Sequence, residues 1–239
     1  MHPTTIDLCE HTLRRAILGG ELAVGARLAP ERTLAAHLQV HRATLRTALA
    51  RLTASGLVAP RQGSGYEVQP WQRTGGPELL GDLLDLATGP ALELHASDLL
   101  RARRALSRAV LETLAERPPS DEARDAITAA IAVLAERVAQ GGVEEIARAD
   151  LAVVGAVLAA TGSATLQLCT SPIASLVAGA PRLREAIYAD ARDSLVGWQA
   201  LSAWLASPDP RAIDSVLEVM AARDRQTLAR LSSTATEAR

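Results

Sequence analysis

The side chains best suited to chemistry in this chain lie in a short polar run at the start of a helix-like pattern. The run contains His41, Arg42, Thr44 and Arg46. An arginine reads guanine through two hydrogen bonds or binds a phosphate, and it does so from the first turns of a helix that enters the major groove of DNA. Taken alone, the same run also fits the solvated face of an ordinary helix.

Three helices and a hairpin are predicted around this run. Apolar residues recur at helical spacing over 5–18, 31–38 and 41–55. Residues 57–68 predict a β-hairpin whose glycine-rich tip contains Gln62 and Gly63, where backbone can approach a sugar–phosphate edge. This order of elements is that of a winged helix-turn-helix, and the wing favours DNA reading over a solvated face.

Charge is distributed unevenly along the chain. The overall net charge is −2, but residues 1–70 carry a balance of +3 and the remaining residues a balance of −5. A small basic module attached to a larger acidic one indicates that the small module binds a polyanion. The charge balance therefore agrees with double-stranded DNA as a partner of residues 1–70.

The rest of the chain is predicted to be helical. Residues 71–77 are rich in turn-forming types and are interpreted as a linker between a domain over 1–70 and a domain over 78–239. Segments with a 3.6-residue apolar period are 78–88, 96–116, 120–140, 143–160, 163–178, 181–206 and 209–231. They predict an all-α bundle of about six or seven helices, so the expected fold class is mainly α.

A long, ordered set of residues carries a resemblance to a known family. The set is Ile17, Gly20, Gly25, Leu28, Pro30-Glu31-Arg32, Leu34-Ala35, Leu38, Val40, Arg42, Thr44, Arg46, Ala48-Leu49, Leu52, Gly56-Leu57-Val58, Gly63, Gly65 and Val68. Residues 6–68 thereby resemble the GntR family of bacterial transcription regulators. The resemblance implies operator contacts from Arg32, Arg42, Thr44 and Arg46, with a wing near Gln62 and Gly63 in the minor groove. It also implies a homodimer on a palindromic site.

Three positions depart from the pattern of that family. Gln39 stands where the family usually has glycine, and Ala43 stands where proline or threonine is frequent. His41 replaces the serine or threonine that would cap the reading helix, and histidine is a poorer cap. The departures affect the operator sequence that is read rather than the fold.

The second domain carries a shorter set of matches. They are Leu99-Leu100, Arg103, Leu106, Asp150 and the helix end Ala160-Thr161-Gly162-Ser163. Residues 78–230 thereby resemble FadR-type effector domains, many of which bind a metal through an aspartate, a histidine four residues later and two further histidines. Here Val154 follows Asp150 at that distance, and no histidine occurs after His95. A transition metal needs several converging ligands, so neither a metal nor another cofactor is expected.

The lack of these histidines is a feature that the chain shares with the branch of the family that responds to long-chain acyl-CoA. A second resemblance to that branch is the segment Trp71-Gln72-Arg73-Thr74-Gly75 followed by Leu79-Leu80. Acyl-CoA is therefore the first candidate for a small-molecule effector, with contacts expected from Arg103, Asp150, Trp198 and Arg223. Structural alternatives stay open. The arginines of 101–108 also fit a solvated or salt-bridged helix face. Asp150 also fits a carboxylate that packs between helices or pairs with an arginine, and Trp198 also fits a core residue or part of a cavity wall.

The leading functional hypothesis is a DNA-binding repressor controlled by a small-molecule effector, with a role in fatty acid metabolism if that effector is acyl-CoA. The alternative is a constitutive dimeric DNA-binding protein whose helical domain only dimerises. An enzyme is disfavoured because the sequence contains no Ser/His/Asp set, Cys/His pair or phosphate loop.

Apolar runs are too short to cross a membrane, so no membrane partner is expected. Cys9 and Cys169 are expected to be buried, reduced thiols, which is typical of a cytoplasmic protein.

Overall fold

The computed structural model describes residues 3–61 and 65–237. The chain divides into two units, Met1–Leu86 and Ala87–Arg239. The first unit contains helices α1 (Thr5–Leu18), α2 (Glu31–His37), α3 (Arg42–Ala54), α4 (Trp71–Thr74) and α5 (Leu79–Leu86), with strands β1 (Val58–Pro60) and β2 (Tyr66–Val68). The strands pair antiparallel, with Val58 opposite Val68, so the predicted wing is present.

Helix α3 is held by apolar residues on its rear face. Leu45, Ala48, Leu49 and Leu52 are all buried and pack with residues of α1, α2 and the hairpin. Helix α1 contacts α3 and α5, and α2 contacts α3. The front of α3 is therefore free to carry polar side chains while its rear face fixes its position.

Helices α1, α2 and α3 end in the same way. The residue that follows each C-cap is left-handed, namely Gly20 (φ 82°), Gln39 (φ 54°) and Gly56 (φ 70°). After α2, the amide of Gln39 donates to the carbonyl of Ala36, and the amide of Val40 donates to the carbonyl of Ala35. This is the Schellman arrangement, in which glycine is favoured because it has no Cβ.

The boundary between the units falls later than the sequence predicts. Residues 71–77 were expected to form a linker, but Trp71–Thr74 is helical, and Thr74 donates a hydrogen bond to the carbonyl of Gly56 at 2.7 Å. Leu79 is buried in the core of the first unit, and Arg14 on α1 pairs with Asp82 on α5 at 3.1 Å. These contacts join 71–86 to the winged module.

The second unit is an α-helical bundle in its described residues. Its helices are α6 (Pro90–Glu116), α7 (Asp121–Gln140), α8 (Val143–Ala160), α9 (Ala164–Gly179), α10 (Pro181–Tyr188), α11 (Ala191–Leu205) and α12 (Ile213–Glu237), with a short 3₁₀ helix, Pro210–Ala212, before α12. The core runs between α6, α7, α8, α11 and α12. The predicted fold class is confirmed. The single helix expected over 181–206 is wrong, because non-helical backbone at Asp190 separates α10 from α11.

Candidate DNA interface and effector cavity

The predicted DNA-reading side chains lie together at the start of α3. His41, Arg42 and Arg46 are exposed, and Thr44 is half-buried. Arg32, in the first turn of α2, is also exposed. The structure thus brings these five residues to the solvent side of the helix-turn-helix, opposite the buried rear face of α3.

The beginning of α3 lacks a side-chain cap. His41 is the N-cap residue, and its imidazole accepts no hydrogen bond from the first turn. Thr4 at the start of α1 behaves differently, because its hydroxyl accepts from the amide of Asp7 and the Asp7 carboxylate accepts from the amide of Thr4. The pKa of Asp7 falls to about 2 because its carboxylate accepts the hydrogen bonds of Thr4 and of Arg51.

One of the arginines that the sequence predicts to contact DNA has an acidic partner. The Nε of Arg46 donates to Oε2 of Glu31 at 2.8 Å, and Glu31 is the first residue of α2. The hydrogen bond to Glu31 raises the pKa of Arg46, so the guanidinium stays charged. The arginine side chain is 64% exposed and the glutamate side chain 24% exposed.

The wing is described at its base only. Arg61 pairs with Glu67 across the hairpin at 2.8 Å. Gln62 and Gly63, which were expected to reach DNA, lie outside the described residues.

The second unit contains a cavity of about 270 Å³ that is lined by residues of α6, α8, α9, α10, α11 and α12. Its apolar walls include Val110, Leu111, Val154, Val157, Leu158, Ile187, Leu201, Val216 and Met220. Its polar side chains are Arg103, Ser107, Asp150, Thr170, Ser194, Arg223, Asp224 and Thr227. A mostly apolar cavity with a few converging polar groups is the usual form of a small-molecule site.

All four predicted effector residues line this cavity, although they come from four different helices. The Asp150 carboxylate accepts hydrogen bonds from Trp198 Nε1 at 2.6 Å and from the Tyr188 hydroxyl at 2.9 Å. Removal from water raises the pKa of Asp150, although both donors and the nearby arginines oppose this shift. Trp198 therefore lines the cavity and also orients Asp150.

The two arginines of the cavity differ in their partners. Arg103 pairs with Asp224 at 2.5 Å, and Arg104 pairs with the other oxygen of the same carboxylate, which is 4% exposed. Arg223 donates to the Ser194 hydroxyl at 2.5 Å, and no carboxylate of the described residues lies within 4.0 Å of its guanidinium. Burial lowers the pKa of Arg223, and the positive charge of Arg103 lowers it further.

Two further polar atoms of the cavity lining are unused. Arg103 Nε and Thr170 Oγ1 are buried and have no hydrogen-bond partner in the described part of the chain. Sequence reasoning missed Thr170, Tyr188, Ser194 and Asp224. The position of Asp224 beside Arg223 was a weak signal, while no spacing pattern linked Thr170 on α9 to the other residues.

Among residues 3–61 and 65–237, no three His, Cys, Asp or Glu side chains are arranged to hold a metal ion. Cys9 is buried as expected, and burial raises the pKa of its thiol. The expectation for Cys169 is wrong, because its side chain lies on the exposed side of α9. No helix within the described ranges is long and apolar enough to cross a membrane.

Both units match known protein families. Residues 7–68 match the family described as bacterial regulatory proteins, gntR family, and residues 98–234 match the FCD domain. The HTH-type transcriptional regulator Rv0494 of Mycobacterium tuberculosis is 30% identical to this chain over 87% of this chain and 82% of its own length. The HTH-type regulator Mce2R of the same species is 46% identical over 28% of each chain.

Solved structures share the fold. Lar of Listeria monocytogenes is 14% identical, with a TM-score of 0.62 over 97% of this chain and 98% of its own. McbR/YncC of E. coli is 18% identical, with a TM-score of 0.50 over 97% of this chain and 98% of its own. At this level of identity the likeness shows the fold alone.

Proposed function

This chain belongs to the gntR family of bacterial regulatory proteins, with an FCD domain, and is a DNA-binding transcription regulator rather than an enzyme; from that premise we propose that a compact organic monoanion, bound in the cavity of the second unit, controls operator binding. The observation that carries the proposal is Arg223, a partly buried guanidinium that lines a mostly apolar cavity and whose one hydrogen-bond partner among the described residues is the Ser194 hydroxyl.

A buried charge is costly unless an opposite charge or several hydrogen bonds compensate it. Arg103 and Arg104 share Asp224, so that group of three is already paired. In the described part of the chain, Arg223 has N–H donors beyond the one that Ser194 accepts, and Arg103 Nε is unused in the lining of the same cavity. A carboxylate would accept from both guanidiniums, because paired N–H donors match its two oxygens.

The pairing of the charged groups supports a single negative charge on the ligand. Asp224 pairs with Arg103 and Arg104, and Asp150 accepts hydrogen bonds from Trp198 and Tyr188. The carboxylates of Asp150, Asp193 and Asp224 act on Arg223 without forming an ion pair with it in the described residues, so this guanidinium is left for a monoanion. Thr170 Oγ1 would contact a second polar group, and the valine and leucine walls would cover an apolar body.

The volume of the cavity limits the size of the ligand. A space of 270 Å³ lies just below the range of about 300–1,000 Å³ that is typical of sites for drug-sized ligands. Long-chain acyl-CoA therefore becomes the second candidate, because its nucleotide would have to lie outside a cavity of this volume.

The control of DNA binding would follow from differential affinity. A ligand shifts an equilibrium between two states only to the extent that it binds one of them more tightly. We propose that the anion favours a form of the homodimer whose two winged modules no longer match the half-site spacing of a palindromic operator, which would make the protein a repressor released by its effector. Such a protein acts where chromosomal DNA is, in the cytoplasm.

The test is thermal unfolding of the full chain with a panel of small monocarboxylic acids and, separately, acyl-CoAs of increasing chain length. A ligand at about 100 times its Kd stabilises the protein by about 2.7 kcal/mol. Arg223→Ala should abolish the stabilisation by the active acid. Arg225→Ala, an exposed arginine on the same helix, should not change it.

A chelator should leave both the stabilisation and its effect on operator affinity unchanged. If acyl-CoA stabilises the protein and no small acid does, acyl-CoA becomes the proposed effector in place of the small monoanion. Absence of any response, with operator binding intact, would favour a helical domain that only dimerises.

A further inference from the structure

We propose that Glu31 is a positioning residue for DNA reading: its carboxylate holds Arg46 by Nε, so that the two terminal amino groups of the guanidinium point toward a guanine. The inference rests on the proposed function, because it requires that the start of α3 enters the major groove. It assigns to the acidic partner a role in sequence selectivity.

The geometry of the pair supports this role. Among the described residues, Glu31 accepts from Nε of Arg46 alone, at 2.8 Å. Neither Nη atom of Arg46 has a hydrogen-bond partner among the described residues. Guanine is recognised through its O6 and N7 atoms by paired N–H donors, and the two Nη groups supply such a pair. The ion pair and the contact with the base therefore use different N–H edges of one guanidinium.

Glu31 is well placed to act as a fixed support. It is the first residue of α2, where a carboxylate interacts favourably with the helix N-terminus. Its side chain is 24% exposed, whereas that of Arg46 is 64% exposed, so the acid is the more enclosed partner. A long side chain that is already oriented loses less conformational freedom when it binds DNA. The same fixed orientation makes it pair poorly with a base whose acceptor atoms are placed differently from O6 and N7 of guanine.

The experiment compares the full-length protein with its Glu31 variants on two duplexes. The first duplex is the site that the wild-type protein selects from random DNA. The second carries one altered base pair, chosen as the position at which Arg46→Ala loses its preference. Glu31→Ala should reduce discrimination between the two duplexes by roughly three- to tenfold, which corresponds to losing the order of one flexible side chain. Glu31→Gln, which keeps a neutral acceptor, should lose less.

Two controls separate positioning from simple charge. Glu21→Ala removes one negative charge from the same unit without touching Arg46, and it should leave discrimination unchanged. In the Arg46→Ala background, Glu31→Ala should have no further effect on discrimination. Circular dichroism and thermal unfolding of each variant verify that its helical content and stability match those of the wild-type protein.

A different pattern would overturn the inference. If Glu31→Ala strengthens binding to both duplexes equally, the carboxylate only repels DNA. Unchanged affinity for both duplexes would show that the pair has no role in reading. If Arg46→Ala alters preference at no base pair, DNA reading by this residue fails, and the role of Glu31 fails with it. If discrimination depends on Arg46 but not on Glu31, Arg46 reads DNA and only the positioning role of Glu31 is wrong.

Discussion

Replacing Gln39 with glycine should stabilise the winged module. Gln39 has a φ of 54° in the Schellman turn after α2, where the equivalent residues after α1 and α3 are glycines. A left-handed conformation costs a non-glycine residue about 1–2 kcal/mol. The greater freedom of glycine in the unfolded chain offsets about 0.5–1 kcal/mol of this. Since the Gln39 side chain is exposed and makes no hydrogen bond in the described residues, the expected net gain is about 0.5–1 kcal/mol.

Hydrogen–deuterium exchange of the full-length protein measures this gain without interference from the second unit. Amides over 45–52 lie in the buried part of α3 and exchange when the first unit unfolds. Their exchange should slow by about two- to fivefold in Gln39→Gly, which corresponds to the stabilisation above. Gln39→Ala is the matched control and should change little, because alanine has the same Cβ penalty.

Gly25→Ala provides the reverse comparison. Gly25 has a φ of 81°, and a Cβ there would meet no atom within 4 Å, so the substitution tests backbone strain alone. It should accelerate exchange. If Gln39→Gly exchanges no more slowly than Gln39→Ala, the left-handed strain assigned to this turn is wrong.

Three other changes test separate parts of the structure. Arg42→Ala and Arg46→Ala should each weaken binding to the selected operator, by about 1–3 kcal/mol where a guanine is read, without lowering the unfolding temperature; unchanged affinity in a gel-shift titration would remove that residue from the interface. His41→Ser should stabilise α3 by about 0.5–1 kcal/mol through the missing side-chain cap, measured by amide exchange; no change would mean that the first turn is already satisfied. The pKa of Asp7 in the folded protein is about 2, lowered first by the hydrogen bonds of Thr4. The contribution of Asp7 to stability is therefore present above the unfolded pKa of 3.8 and is lost as pH falls toward 2. Asp7→Asn should make the free energy of unfolding less dependent on pH over that range, and an unchanged acid unfolding profile would contradict the assignment.

The winged module could be predicted closely from sequence because its signals are local. Apolar residues at helical spacing set the rear face of α3, and glycines marked the ends of α1 and α3. The departure at Gln39 has a structural consequence, because a residue with a Cβ occupies a left-handed position where glycine is favoured. The pairing of Arg46 with Glu31 was not predictable from spacing, since it depends on how α2 packs on α3.

The second unit shows where local signals end. Helix positions follow from periodicity, but the cavity joins residues that are more than 100 positions apart in the chain, such as Arg103 and Asp224. A linker was expected at 71–77 because turn-forming residues are common there, yet Leu79 and Asp82 attach the following helix to the first unit. Cys169 lies on α9, a helix apolar enough to suggest burial on every side.

Control of DNA binding by a ligand can be measured by selecting duplexes from a random DNA library with the full-length protein and then adding the active organic acid as a competitor. We expect enrichment of an inverted repeat with two half-sites, loss of that enrichment in Arg42→Ala, and release of the selected duplex by the acid in the wild-type protein but not in Arg223→Ala. Enrichment of no sequence, or release that persists in Arg223→Ala, would contradict the proposed function.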